Sequence, residues 1–165
     1  MTTANLTLFR SASPLSIDAR VRVIEGLNAS LADGLDLYSQ VKVAHWNLKG
    51  PHFVALHELF DTIAGEANST NDELAERAVA LGGLASGTVR TAAERSRLAP
   101  YPEDLTRDLD HVALVADRID DYLEGLRAVR SVGEEVGDTD TVDLLTGVIT
   151  AFEKHAWFLR ATLES

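Results

Sequence analysis

Cysteine is absent from the 165 residues, which removes disulfides, thiolate zinc sites and thiol catalysis together. Any metal must then be held by oxygen and imidazole. Lysine is scarce, at Lys42, Lys49 and Lys154, and 15 basic residues face 26 acidic ones for a net charge of -11. That balance repels a duplex phosphate backbone and attracts cations. Proline occurs four times and no low-complexity tract is present. The opening stretch MTTANLTLFRSASPLS carries Arg10 as its only charged side chain, without an apolar run long enough for a signal peptide. Nothing reaches membrane-spanning length. A cytoplasmic protein with no membrane partner is expected, built as a single domain over 1–165 with a short flexible N-terminal segment, 1–15.

What is present is helical periodicity. From Ile17 the apolar residues fall at 17, 21, 24, 27, 31, 35, 38 and 41, and His45 lands on the same stripe. Gly50-Pro51 breaks the pattern. A second helix is predicted from about His52 to Leu81, with Phe53, Leu56, Phe60, Ile63, Leu74, Ala78 and Leu81 on its stripe and Gly82-Gly83 as its stop. Residues 84–102 read as a crossover in which TAAERSRLA forms a short helix. The third helix is expected near Pro102, with Gly133 and Gly137 at its end, and the fourth from Asp138 to the chain end. The sequence therefore predicts an all-α four-helix bundle with a short helix in the crossover between helices 2 and 3.

The second helix carries His57, Asp61, Asp72 and Glu76 at relative angles of about 0°, 40°, 60° and 100°, all on one side. They do not share one metal, because the gap from 61 to 72 spans roughly 16 Å of helix axis. Each i, i+4 pair is half a site, and both pairs are centred on the same point between Glu66 and Ala67. If this helix packs antiparallel against its own copy across a twofold axis there, His57/Asp61 of one chain faces Asp72/Glu76 of the other. Two identical inter-subunit sites result. Ala64, Gly65, Ala67, Asn68 and Ser69 are small enough for close approach at the crossing. His45 and His57 are equidistant from Pro51, so an antiparallel hairpin sets them side by side. Two imidazoles and three carboxylates suit Fe(II) and could accept Zn, Mn or Co. A lone helix-face histidine is more often a packing residue, and an acidic i, i+4 pair is usually solvated surface. Mirrored spacing around small residues is not explained that way.

At HWNLKGPHFVALHELFD followed by DELAERAVALGG the chain resembles the Dps family, the mini-ferritins known as DNA-binding proteins from starved cells. The resemblance extends to FEKHAWFLRATLE in the last helix. It implies a ferritin-like bundle assembled as a hollow dodecamer of twofold dimers, a ferroxidase that oxidises iron with hydrogen peroxide or dioxygen and stores ferric mineral, protecting against oxidative stress. By the same resemblance His45, His57 and Asp61 of one chain and Asp72 and Glu76 of its partner are the metal ligands, and Trp46 accepts an oxidising equivalent beside them. Trp46 also reads as a packing aromatic at a helix end, as does Trp157. Asp138 and Asp143 match acids that line the family's ion pores, although acids at a helix N-terminus need no further explanation.

The family's DNA binders often carry a lysine-rich tail, which the N-terminal stretch and the closing TLES do not provide. Weak DNA binding is therefore expected, with nucleoid association as the alternative function. A purely structural bundle that binds no metal is the third reading. His52, His111 and His155 have no glutamate three residues before them, so the Glu-x-x-His ligand signature of larger ferritins is absent. These three are expected at the surface or in packing.

Overall fold

The structure, a computed structural model, describes residues 8–164. Its helices are α1 (Ile17–Asn47), α2 (Phe53–Ala80), α3 (Val89–Arg95), α4 (Asp108–Val136) and α5 (Thr139–Leu163), with no strand among the described residues. α1 packs on α2 and α4, and α4 packs on α5, so the four long helices form a bundle from two hairpins. The short α3 rides on the outside of α1. No helix of the described residues is long and apolar enough to cross a membrane.

Ser16 opens α1 by accepting the backbone N–H of Ala19, which satisfies one of the donors a helix start leaves free. Along α1 Ile24, Leu27, Leu31 and Val41 are buried as their spacing predicts, but Ile17 and Tyr38 are exposed and Leu37 is buried instead. The seven steps from 17 to 41 average fewer than 3.6 residues, so that line drifts about a third of a turn around a straight helix. α2 keeps its predicted stripe from Leu56 to Leu81 while Phe53 in its first turn is exposed, and Phe60, Ile119, Tyr122 and Phe152 are buried where the helices meet.

One helix boundary differs from expectation. α4 begins at Asp108, not near Pro102, because the backbone of 106–108 pairs with Lys49 of the α1–α2 turn: Lys49 N–H donates to Thr106 O at 2.7 Å and Asp108 N–H donates to Lys49 O at 3.0 Å. α4 runs through Gly133 and stops at Gly137, whose φ of 75° is the left-handed turn that glycine favours. Residues 8–15 of the expected flexible segment lie along the end of α2, where Phe9 N–H donates to Gly82 O and Ser11 Oγ donates to Ala80 O. Residues 1–7 of that segment lie outside the described residues.

Buried polar residues fasten the crossover to α1. Asn28 bridges Leu84 and Ser86. Asp33, fully buried, accepts the backbone N–H and the guanidinium of Arg97. Gln40 bonds Ala99 O and Arg118. Each group finds its partner, as buried polar atoms must. The consequence is a fixed outer wall beside α2.

Candidate metal centre

His45 in the last turn of α1 and His57 in the second turn of α2 stack with ring centroids 3.7 Å apart. The turn between them places them symmetrically, as their distances from Pro51 predict. His45 Nδ1 lies 2.9 Å from His57 O, and His57 Nδ1 lies 3.0 Å from His45 O. A carbonyl oxygen only accepts, so both Nδ1 atoms donate. That fixes the tautomer and leaves each Nε2 with the lone pair a metal requires. Phe53 stacks on the outer side of His57 at 5.1 Å.

Asp61, one turn further along α2, is exposed and receives the Lys42 ammonium at 2.7 Å. The Lys42 hydrogen bond, followed by its charge, holds the Asp61 carboxyl below the usual range, and His45 and His57 add smaller electrostatic contributions. Sequence reasoning missed Lys42, although its position three residues before His45 puts it on the same helix face. Among the described residues no three His, Asp or Glu side chains of one chain are grouped to hold a metal.

Asp72 and Glu76 are exposed further along α2, together with Gly65, Asn68 and Ser69. Ala64 and Ala67 are buried in the chain's own core, which corrects their expected place at the crossing: the 64/67 face is centred roughly 100° around the helix from the face of 65, 68 and 72. A groove of about 700 Å³ runs along this open face between Leu31, Leu35, Gly65, Asn68, Ser69 and Asp72. Beside it a second cleft of about 390 Å³ holds Tyr38, Lys42, Trp46, Asn68 and Val89. Trp46 is 67% exposed, with Lys42 Nζ 6.0 Å from its ring centroid. Among the described residues none covers the greater part of it.

The acids at the start of α5 divide. Asp138 is 3% exposed, caps α5, and accepts Arg77 at 2.6 Å and the Thr141 hydroxyl at 2.5 Å. Asp143 is exposed and lines a cleft of about 370 Å³ with Glu134, Thr139 and Thr146. The three unassigned histidines are also placed. His52 pairs with the buried Asp108 at 3.0 Å. His111 hydrogen-bonds Tyr101 inside the bundle, and His155 lies buried against Phe152. Trp157 is exposed and touches Phe158.

Comparison with known proteins matches residues 24–165 to the ferritin-like domain family. The DNA protection during starvation protein of Agrobacterium fabrum is 36% identical over 155 residues, covering 94% of this chain and 96% of that one. DpsA14 from Streptomyces coelicolor superposes with a TM-score of 0.91 at 31% identity, covering 98% of this chain and 96% of its own. Dps from Microbacterium arborescens, in a structure described as the high iron form, superposes with a TM-score of 0.86 at 30% identity, covering 95% of this chain and all of that one. With its bundle, its crossover helix and these relatives, the chain belongs to the Dps family of ferritin-like proteins.

Proposed function

We propose that the protein is a ferroxidase and iron store, with Fe(II) as substrate at sites completed between two copies of the chain. Family membership gives the coarser statement, a Dps-type protective or iron-handling role. The observation that carries the finer reading is the His45–His57 pair, whose reciprocal Nδ1 bonds leave two lone-pair nitrogens free, with Asp61 one helical turn beyond His57. Asp72 and Glu76 of an antiparallel partner supply the remaining ligands from the same open face. Helices hold such a constellation more rigidly than loops. The carboxylates offset the metal's charge and the imidazoles orient it, while Zn, Mn or Co suit the same nitrogen and oxygen donors.

Hydrogen peroxide or dioxygen takes the electrons that Fe(II) gives up, and ferric mineral accumulates within a dodecamer built from twofold dimers. Trp46, exposed beside Lys42, is the nearby side chain suited to accept a stray oxidising equivalent. Asp143 borders the route by which iron is admitted, while Asp138 fixes the helix end that carries it. A cytoplasmic setting suits this chemistry. The Dps of Microbacterium arborescens, described in a high iron form, supports iron as the cargo.

The test is peroxide-driven Fe(II) oxidation followed by absorbance, wild type against the combined His57→Ala and Asp61→Ala variant. The expected loss is at least about tenfold. Equal rates would leave a structural bundle as the reading. DNA binding is the rival function, favoured by relatives named for DNA protection and opposed by the charge of -11. Gel shifts across a salt series should show no shift without divalent cation, and a shift without one would make DNA the primary partner.

A further inference from the structure

Taking the iron reading above as its basis, we propose that Asp108 is a positioning residue for the metal site, acting through the α1–α2 turn on the His45–His57 pair. The turn that joins α1 to α2 decides how far the two helices slide past one another. A slide of one residue is about 1.5 Å, enough to break both imidazole-to-carbonyl bonds. The turn is clamped from one side by the start of α4. Asp108 Oδ2 accepts both the backbone N–H and the ring Nδ1–H of His52, each at 3.0 Å. Its Oδ1 accepts the N–H of Leu109 at 2.9 Å. The flanking main chain adds the two bonds between Lys49 and residues 106 and 108.

This carboxylate is nearly inaccessible to solvent yet has a hydrogen-bond donor for each oxygen, so its geometry is fixed by its donors. The backbone N–H of His52 is the chief cause holding its carboxyl below the usual range, so it stays ionised in near-neutral solution. Gly50 completes the clamp. At its φ of 155° a Cβ would come within 2.2 Å of the Asp108 carboxyl carbon, so only glycine lets the turn approach this closely. His52 and Asp108 do not touch the metal-binding atoms. Their effect reaches the site through the helix register.

The test measures Co(II) binding to the full chain without oxygen, followed by visible absorption. Asp108→Ala and Gly50→Ala should each weaken binding at least about tenfold. Asp108→Asn, which keeps an acceptor oxygen for His52, should recover most of that loss. Asp33→Ala is the control. It removes an equally buried carboxylate that braces the crossover, and should leave Co(II) affinity within about twofold of wild type. A crystal structure of metal-free Asp108→Ala should show the ring separation of 3.7 Å lost. Wild-type affinity and an intact ring pair in Asp108→Ala would overturn the proposal, as would equal losses in Asp108→Ala and Asp33→Ala. If the combined His57→Ala and Asp61→Ala variant binds Co(II) as wild type does, the iron reading fails instead. The metal-free crystal structure then decides the positioning role by itself.

Discussion

Lys42 holds a carboxylate that the iron reading assigns to metal. Its ammonium lies 2.7 Å from Asp61, and the carboxylate end of the pair is open to water. Ion pairs of that kind contribute little and are weakened by salt. On that reading an arriving divalent cation displaces the ammonium at modest cost. Lys42→Met keeps the aliphatic stem and removes the competing charge, so Co(II) should bind severalfold more tightly, as read by titration; unchanged affinity would mean that Lys42 does not compete. The facing histidines could be foreseen because both lie equally far from one helix break. Lys42 carried a signal as well, since 42 and 61 flank that same break almost equally; Asp108 carried none, since its partner lies 56 residues away and no local pattern encodes that distance.

Among the elements, α4 and α5 each bury an imidazole, His111 and His155, and desolvation lowers the pKa of both. Glu66 partly opposes this at His155, while the Leu105 carbonyl, Asp110 and Asp108 oppose it at His111. An unfolded chain takes up these protons near pH 6.5 and the folded one only lower. Stability is therefore full above about pH 6.5 and falls as the pH drops below it. Asp108, with its lowered carboxyl, gives up its share only at still lower pH, below the ordinary carboxylate range. Thermal melts from pH 7.5 to 5.5 should show a falling midpoint, and His155→Gln should flatten that slope; parallel slopes would refute the assignment. The bundle itself was legible because period-3.6 stripes over four long segments admit few other folds. The α4 start was not legible. Pro102 followed by Glu103 and Asp104 imitates a helix N-terminus, but the chain spends those residues reaching the α1–α2 turn.

At the scale of the whole molecule, the distinguishing feature is the unpacked side of α2. Among the described residues, nothing beyond Gly65's chain neighbours and the backbone of its own helix lies within 4 Å of a Cβ built there, and alanine would favour the helix by about 1 kcal/mol. The single chain gives no reason for glycine there, and the crossing proposed above would supply one. Gly65→Leu should leave the fold of each chain intact by circular dichroism, shift the particle to smaller species on a sizing column, and abolish peroxide-driven iron oxidation. A full-sized particle with undiminished oxidation would exclude the antiparallel crossing. The mirrored spacing of His57/Asp61 and Asp72/Glu76 is visible in the sequence itself, and the twofold crossing proposed from it rests on that spacing. The burial of Ala64 and Ala67 is not visible there, because small size alone does not say which way a residue faces.

The reciprocal ring-to-carbonyl bonds have a kinetic meaning. Both imidazoles are already parked, so on the iron reading proposed above neither ring has to swing, and only the Lys42 ammonium must leave Asp61 as an ion arrives and sheds its hydration water.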